Sequence, residues 1–459
     1  MTTGTDTDTV RGTASRAWAA TVAARAADAA HLWHPWSPIA DGRERLLLVA
    51  GRGSRVVDDT GRSYLDLRAG TLNATIGYGH PGVAETIAAQ ARTLMTWDLA
   101  EAGTIPAALL AGRIAAVMPP GLDRTLLCNS GSEAIEAAIK IARMWHRLCG
   151  RPRRTAIVSW ADGYHGATTA GIAATGSEFR RHGCGPLPEG YAHLASPRCP
   201  DCATGAGDHT CRIPGPVEWE EHIARIGPDT VAAVLVEPIL GVGGVIVPPP
   251  GSLRGLREIC DRHDIVLIAD EVATGFGRTG RTFAFEHDLA PGTGPDIVTT
   301  AKGLTGGYAP LSAVTVRGEI HAAFARDPLL GGLRHGHTTG GHASACAAAL
   351  AVLDVLAADR LVEAAAARGA QFRRDLAGLD ESPLVREVRG KGLLIGIETT
   401  SLDAAARVAA AAQERGVLIR HFGPVITIAP PLNITPHEVG EGAGAVVDAV
   451  RATSAGSTA

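Results

Sequence analysis

Through the middle of the chain, short apolar runs alternate with stretches of helical period. Thr125–Cys128, Thr155–Ser159, Val231–Val236 and Ile265–Ala269 are runs of strand length, each followed by polar or glycine-rich residues and then a helical pattern. Short apolar runs bounded in this way read as buried strands, and strands alternating with helices predict βαβ units and a mostly parallel sheet. Each run ends in chemically capable residues: Asn129-Ser130-Gly131-Ser132-Glu133, Gly163-Tyr164-His165-Gly166, Glu237-Pro238 and Asp270-Glu271. Open α/β sheets bind ligands beyond the carboxyl ends of their strands. The four ends therefore predict one cleft.

Beyond about residue 330 the pattern changes. Helical stretches at Ala343–Ala357 and Ser401–Arg415 alternate with short strands at Gly392–Ile397, Val417–Arg420 and Val425–Ile428, which reads as a smaller α+β domain. Residues 14–30 are alanine-rich but carry Arg16, Arg25 and Asp28, the pattern of a helix or an arm. The expected division is 1–65 for an N-terminal arm and part of the small domain, 66–328 for a large ligand-binding domain, and 329–459 for the C-terminal small domain.

Composition narrows the classes. With 459 residues, 46% hydrophobic and 20% charged, the chain has ample core for a soluble globular protein. A net charge of −4 provides no basic field, so neither nucleic acid nor an anionic membrane is an expected partner. The apolar stretches are all interrupted and the start lacks a signal-peptide h-region, so a cytoplasmic enzyme is expected. Eight cysteines in a chain this long do not read as a secreted disulfide framework. Cys199, Cys202 and Cys211 with His209 have metal-like spacing, yet this is a lone CxxC with one further cysteine, and the balance favours a loop of reduced thiols with no metal.

Lysine usage adds the sharpest chemistry. Lysine and arginine together number 43 and only Lys140, Lys302 and Lys391 are lysine, so 40 are arginine. Arginine stays protonated, whereas an enclosed lysine can lose its proton and attack a carbonyl. Lys302 sits in Thr299-Thr300-Ala301-Lys302-Gly303-Leu304-Thr305-Gly306-Gly307, small residues that would let a planar group lie against the backbone, as a Schiff-base lysine needs. Lys140 reads as a helix-surface charge supported by Glu136 four residues earlier, and Lys391 as part of a turn entering the strand Leu393–Ile397.

Three further features acquire meaning beside Lys302. Ser130-Gly131-Ser132, between a strand and a helix start, is either a helix cap or a phosphate cradle. Asp270, closing an apolar strand, could cap a helix, bind a metal or pair with a protonated pyridine nitrogen. Tyr164 supplies an aromatic face and a hydroxyl. Phosphate cradle, aromatic plate, strand-end carboxylate and lone lysine, in that order, match the demands of pyridoxal phosphate.

The strings that carry this pattern resemble the class III pyridoxal-phosphate aminotransferases of fold type I, over about residues 34–431. They are Asn129-Ser130-Gly131-Ser132-Glu133-Ala134, Gly163-Tyr164-His165-Gly166, Val236-Glu237-Pro238, Leu267-Ile268-Ala269-Asp270-Glu271-Val272, Gly275-Phe276-Gly277-Arg278-Thr279-Gly280, Ala301-Lys302-Gly303-Leu304 and His335-Gly336-His337-Thr338. The resemblance implies a large domain with a mostly parallel seven-stranded sheet between helices, plus the smaller α+β domain. It implies that Lys302 forms the Schiff base and shuttles the proton, and that Asp270 pairs with the pyridinium nitrogen. Gly131 and Ser132 would hold the phosphate, with His337 and Thr338 supplied by a second subunit of a homodimer. Tyr164 would stack on the ring, with Val272 behind it and Glu237 near it.

Within that family the chain is similar to the branch of ω-transaminases and diaminopelargonate-forming enzymes. Arg420, in Val417-Leu418-Ile419-Arg420 before Phe422-Gly423, is the implied binder of a substrate carboxylate, with Tyr164, Trp36, Leu72 and Gly336 as other substrate-binding positions. Thr427 stands where some relatives carry a second arginine, which speaks against an ornithine- or 4-aminobutyrate-type donor. Thr71-Leu72 replace two tryptophans of the diaminopelargonate enzyme, so that activity is not expected despite the similar His34-Pro35-Trp36. Thr339 and Ala343 also depart from the family pattern. The expected reaction is ping-pong amino transfer from a small amino acid to a ketone or aldehyde, with a place in secondary metabolism. The alternative is an aminomutase or decarboxylase on the same scaffold.

Overall fold

The computed structural model describes residues 21–39, 45–199 and 212–455. Strands β1 (Leu48–Arg52), β2 (Arg55–Asp58) and β3 (Ser63–Asp66) form an antiparallel meander. The central sheet follows, from β4 (Leu122–Cys128), β5 (Ala156–Trp160), β6 (Tyr191–Leu194), β7 (Val231–Val236), β8 (Val266–Asp270), β9 (Ile297–Thr300) and β10 (Ser312–Arg317). Its seven strands lie in the order β4-β10-β9-β8-β7-β5-β6. Only β10 runs against its neighbours; the remaining pairs are parallel. Every residue of β7 and β8 is buried, which explains why these strands are continuous apolar runs with no alternation.

The order places the site. From β5 the chain moves outward to β6, then returns to β7 on the other side of β5 and continues to β8 and β9. At such a switch the connections diverge and leave a crevice at the carboxyl ends of the strands. β5, β7, β8 and β9 deliver Tyr164, Glu237, Asp270 and Lys302 to that edge within a few residues of their ends. From β4 the chain enters the helix Gly131–Leu148, capped by a reciprocal box. The Ser130 hydroxyl accepts from the Glu133 N–H, and the Glu133 carboxylate accepts from the Ser130 N–H, both at 3.2 Å.

The C-terminal part holds a second small sheet of β11 (Val385–Lys391), β12 (Leu394–Thr399), β14 (Arg420–Phe422) and β15 (Val425–Ile428), in the order β11-β12-β15-β14. The single strand expected over Val417–Arg420 is divided. β13 (Val417–Leu418) runs parallel to β3, whereas Arg420 begins β14 and pairs with Thr427 of β15. Val417, Leu418 and Ile419 are all buried, so apolar pattern alone carries no mark of the change of sheet. The break sends Arg420 toward the cleft.

The other two lysines stand apart. Lys391 closes β11 at the hairpin into β12. Lys140 is exposed, but the expected pair with Glu136 does not form: the Glu136 carboxylate accepts from the Ala170 N–H at 2.9 Å, and the Lys140 ammonium lies 3.3 Å from His335 Nδ1. An unsatisfied backbone donor is the stronger claim on that carboxylate. Among the described residues no helix is long and apolar enough to cross a membrane.

Candidate active site

Lys302 begins a short 3₁₀ turn, Lys302–Leu304, immediately after β9 and Ala301. Its φ is +26°, a region L residues avoid, and such strain persists where the surroundings over-determine the backbone. The side chain is half-buried, its open side facing a cavity of about 190 Å³. Enclosure lowers the ammonium pKa from its ordinary 10.5, while the negative Asp270 and Glu237 pull it partly back. Desolvation wins, which favours the neutral amine that attack on a carbonyl requires.

Asp270 is the last residue of β8 and is buried at 4% exposure. Its Oδ1 accepts from the Val272 N–H at 3.1 Å and from the Thr299 hydroxyl at 3.4 Å. Its Oδ2 lies 2.8 Å from Nδ1 of His165, which is also buried, and His165 Nε2 has no partner among the described residues. With Asp270 ionised, Nδ1 carries the proton that is donated to it. The sequence reading gave Tyr164 a role in this string and none to His165. Nothing in the pattern marks it, because the partner lies 105 positions along the chain.

Glu237 follows β7 and anchors two loops. Its Oε2 accepts from the Tyr164 N–H and its Oε1 from the Gly241 N–H, each at 3.0 Å. Burial raises its carboxyl pKa, with the negative Asp270 adding to the rise. Tyr164, His165, Val272 and Ala301 line the same cavity, as do Gly131 and Ser132 at the helix start. Two glycines keep this wall thin. A Cβ on Gly131 would come within 2.9 Å of the Val272 side chain, and one on Gly166, at φ +100°, within 2.9 Å of Ser132 Cα. The Ser132 hydroxyl accepts from the Ala167 N–H at 3.0 Å, so its own proton remains available to a ligand. The result is one cavity whose wall holds a helix N-terminus, two buried carboxylates and an amine. These residues fit a planar pyridine ring bearing a phosphate.

Beside Tyr164 of the cavity wall stands a cationic and aromatic cluster of Arg180, Trp36, Phe422 and Arg420, none of which lines the cavity itself. Arg420 is half-buried, its guanidinium carbon 4.3 Å from the Phe422 ring centroid, and Nη1 has no partner among the described residues. Burial, with Arg68 and Arg180 nearby, pulls its pKa down to about 10. Trp36 is 58% exposed and faces Arg180, which also stacks on Tyr164; Arg180 is a further residue that sequence reasoning missed. Leu72 does not line the cavity. It is buried at φ +60° in an apolar cluster with Ile239, Val245 and Ala429, and the exposed member of its pair is Thr71. Gly336 and Thr338 are exposed. His337 Nδ1 lies 3.9 Å from Glu133, and the Thr339 hydroxyl donates to Asn129 Oδ1 at 2.9 Å, so this loop borders the turn that opens the helix at Gly131. Cys199 is buried, whereas Cys202, His209 and Cys211 lie outside the described residues.

Behind the site, Glu271 is buried, its Oε1 accepting from the Phe285 N–H at 2.8 Å and its Oε2 from the Thr274 hydroxyl. Burial pushes its carboxyl from 4.5 up to about 7. A raised carboxyl pKa means that the folded state holds the proton more tightly than the unfolded state. Its contribution is therefore full below pH 4.5 and is lost as pH rises through about 7. That window is worth roughly 3 kcal/mol. Glu271→Gln should accordingly lose less stability than the wild type between pH 5 and pH 7.5, measured by denaturant unfolding at each pH. Parallel pH slopes for the two proteins would refute the assignment.

The fold and the cavity are those of a fold type I transferase, and the comparisons make the family specific. The family model for class III aminotransferases matches residues 39–450. The chain belongs to this family, and it is an aminotransferase. It is 37% identical over 418 residues to the adenosylmethionine-8-amino-7-oxononanoate aminotransferase of Nitratidesulfovibrio vulgaris, covering 87% of this chain and 76% of that one. It is 35% identical to the taurine–pyruvate aminotransferase of Bilophila wadsworthia, covering 87% and 90% respectively. Among solved structures, an (S)-enantioselective ω-transaminase from Thermomicrobium roseum superposes with a TM-score of 0.87 at 36% identity, covering 94% of this chain and 98% of that one.

Proposed function

We propose that this chain moves an amino group from a small amino acid to a ketone or aldehyde by a ping-pong mechanism, with pyridoxal phosphate as cofactor. The carrying observation is the cavity that unites Lys302, Asp270, Glu237 and Tyr164 with the helix N-terminus at Gly131 and Ser132. Bound there, pyridoxal phosphate would supply a reactive carbonyl and an electron-withdrawing ring that stabilises negative charge at the substrate carbon. The chain's residues divide the remaining work. Gly131 and Ser132 hold the phosphate, Tyr164 and Val272 sandwich the ring, and Asp270, backed by His165, keeps the ring nitrogen protonated. Lys302 gives way to the substrate amine and then, as a neutral base, takes the proton from the substrate carbon and returns it elsewhere.

Arg420 binds the carboxylate of the amino donor, its unpartnered Nη1 being the donor that a carboxylate would satisfy. Trp36 and Gly336 border the substrate path. A homodimer, with His337 and Thr338 of one copy reaching the phosphate of the other, accords with the exposed apolar residues Leu94, Met95, Trp97 and Leu99. A cytoplasmic place and a role in secondary metabolism belong to the same reading.

The test is a half-reaction. Protein reconstituted with pyridoxal phosphate is mixed with single amino donors and no acceptor, and the cofactor absorbance is followed. One stoichiometric conversion to the pyridoxamine form is expected, reversed on adding an oxo acid or aldehyde. Continuous product formation without acceptor, or release of carbon dioxide, would replace the reading with a mutase or a decarboxylase.

A further inference from the structure

The cluster beside Tyr164 carries more positive charge than one carboxylate needs. Arg180 lies on the short turn Glu178–Arg181, between the helix Thr169–Ala174 and β6. Its guanidinium carbon is 4.7 Å from the centroid of Trp36, 4.7 Å from that of Tyr164 and 5.5 Å from that of Phe422. Three rings from three distant parts of the chain therefore share one cation. Among the described residues no carboxylate is paired with Arg180, nor with Arg420 on the same Phe422 ring. The carboxylate whose charge acts on Arg180 is Glu237, which is already held by the Tyr164 and Gly241 N–H groups.

Rings attract a guanidinium without offering its N–H groups a strong acceptor, so donors of a cation held among rings are left for a ligand. A planar fork held by rings and left without an anion is prearranged for a ligand's carboxylate or sulfonate. Two such forks in one cluster repel each other until anions arrive. Tyr164 lines the cavity, so Arg180 sits one ring away from the reacting centre.

We infer that Arg180 is a specificity-determining residue that binds a second anionic group, so that one of the two substrates is a dianion: one group on Arg420 and the other, a carboxylate or sulfonate, on Arg180. This rests on the aminotransferase reading above. It also distinguishes the substrates by charge, since a monoanionic partner would leave one fork to water.

Calorimetry on the cofactor-loaded protein reads binding without turnover, using butyrate, glutarate and 4-sulfobutyrate as non-reacting probes. Glutarate should bind at least about 30-fold more tightly than butyrate, as expected for one added charge-assisted pair in a desolvated cluster. The 4-sulfobutyrate arm tells which distal group is preferred. In Arg180→Leu the glutarate-to-butyrate ratio should collapse toward one, and in Arg180→Lys it should recover in part, because lysine keeps the charge but not the fork. In the half-reaction the glutamate-to-alanine ratio of kcat/KM should fall in parallel.

A wild-type ratio near one would overturn the inference. So would an Arg180→Leu variant that loses glutamate, alanine and an uncharged amine equally, since that marks a residue that merely props Trp36 and Tyr164. If no donor converts the cofactor at all, the aminotransferase reading falls, while the calorimetric ratio still judges the anion site by itself.

Discussion

Replacing Lys302 by alanine or by arginine should remove covalent cofactor attachment and lower turnover by at least about 10⁴-fold, the upper range for loss of a positioned acid–base group. The arginine variant is the more informative. It keeps a positive charge between Asp270 and Glu237, the two carboxylates that act on Lys302, but it cannot yield a neutral amine at any working pH. Charge alone would predict partial activity; nucleophile and base chemistry predict none. The measurement is borohydride reduction of protein loaded with pyridoxal phosphate, followed by peptide mass mapping. In the wild type the added mass should fall on the peptide holding Lys302. Mass on Lys140 or Lys391 would sink the assignment, and the chain offers no fourth lysine to confuse the result.

How far the site could be read in advance follows from which contacts are local in sequence. Strand ends were legible because parallel strands buried on both faces are apolar throughout, so the first polar residue after each run marks the carboxyl edge. Glu237 and Asp270 stand out in this way after or at the end of β7 and β8, and the structure brings both to the cavity that Lys302 faces. His165 and Arg180 were not legible. The His165–Asp270 contact joins residues 105 apart. Arg180 is one of 40 arginines, and its meaning comes from three rings drawn together only by folding.

Leu72 differs again. The family resemblance implied a substrate-binding position; in the structure its backbone stands at φ +60° and its side chain is buried in the cluster with Ile239 and Val245, outside the lining of the cavity that Lys302 faces. The break in Val417–Arg420 has the same origin. A change of sheet costs no hydrogen bonds when both neighbours supply them, so the apolar pattern runs through it unchanged. Long-range pairing decided each of these, and periodicity does not report it.

Asp270→Asn should leave the fold and the covalent attachment at Lys302 in place while lowering kcat/KM by about 10²–10³-fold, the scale of losing one preorganised charge in a water-poor site. The substitution is close to isosteric. An asparagine oxygen can still accept from the Val272 N–H, now 3.1 Å from Oδ1, and the amide can be oriented toward His165, now 2.8 Å from Oδ2. What is lost is the negative charge that, in the proposed reaction, would hold a proton on a ring nitrogen. His165 sharpens the test because its Nδ1 contacts the Asp270 carboxylate at Oδ2. His165→Phe removes the donor to Oδ2 and should cost less than Asp270→Asn, since the carboxylate charge remains. Combining the two should add little beyond Asp270→Asn alone, because residues acting through one group are non-additive. The bound cofactor's absorbance spectrum and its pH dependence should move in both single variants, a change that simple loosening of the β8 end would not produce. Full additivity, with an unshifted spectrum, would make His165 a packing residue and leave Asp270 without its support.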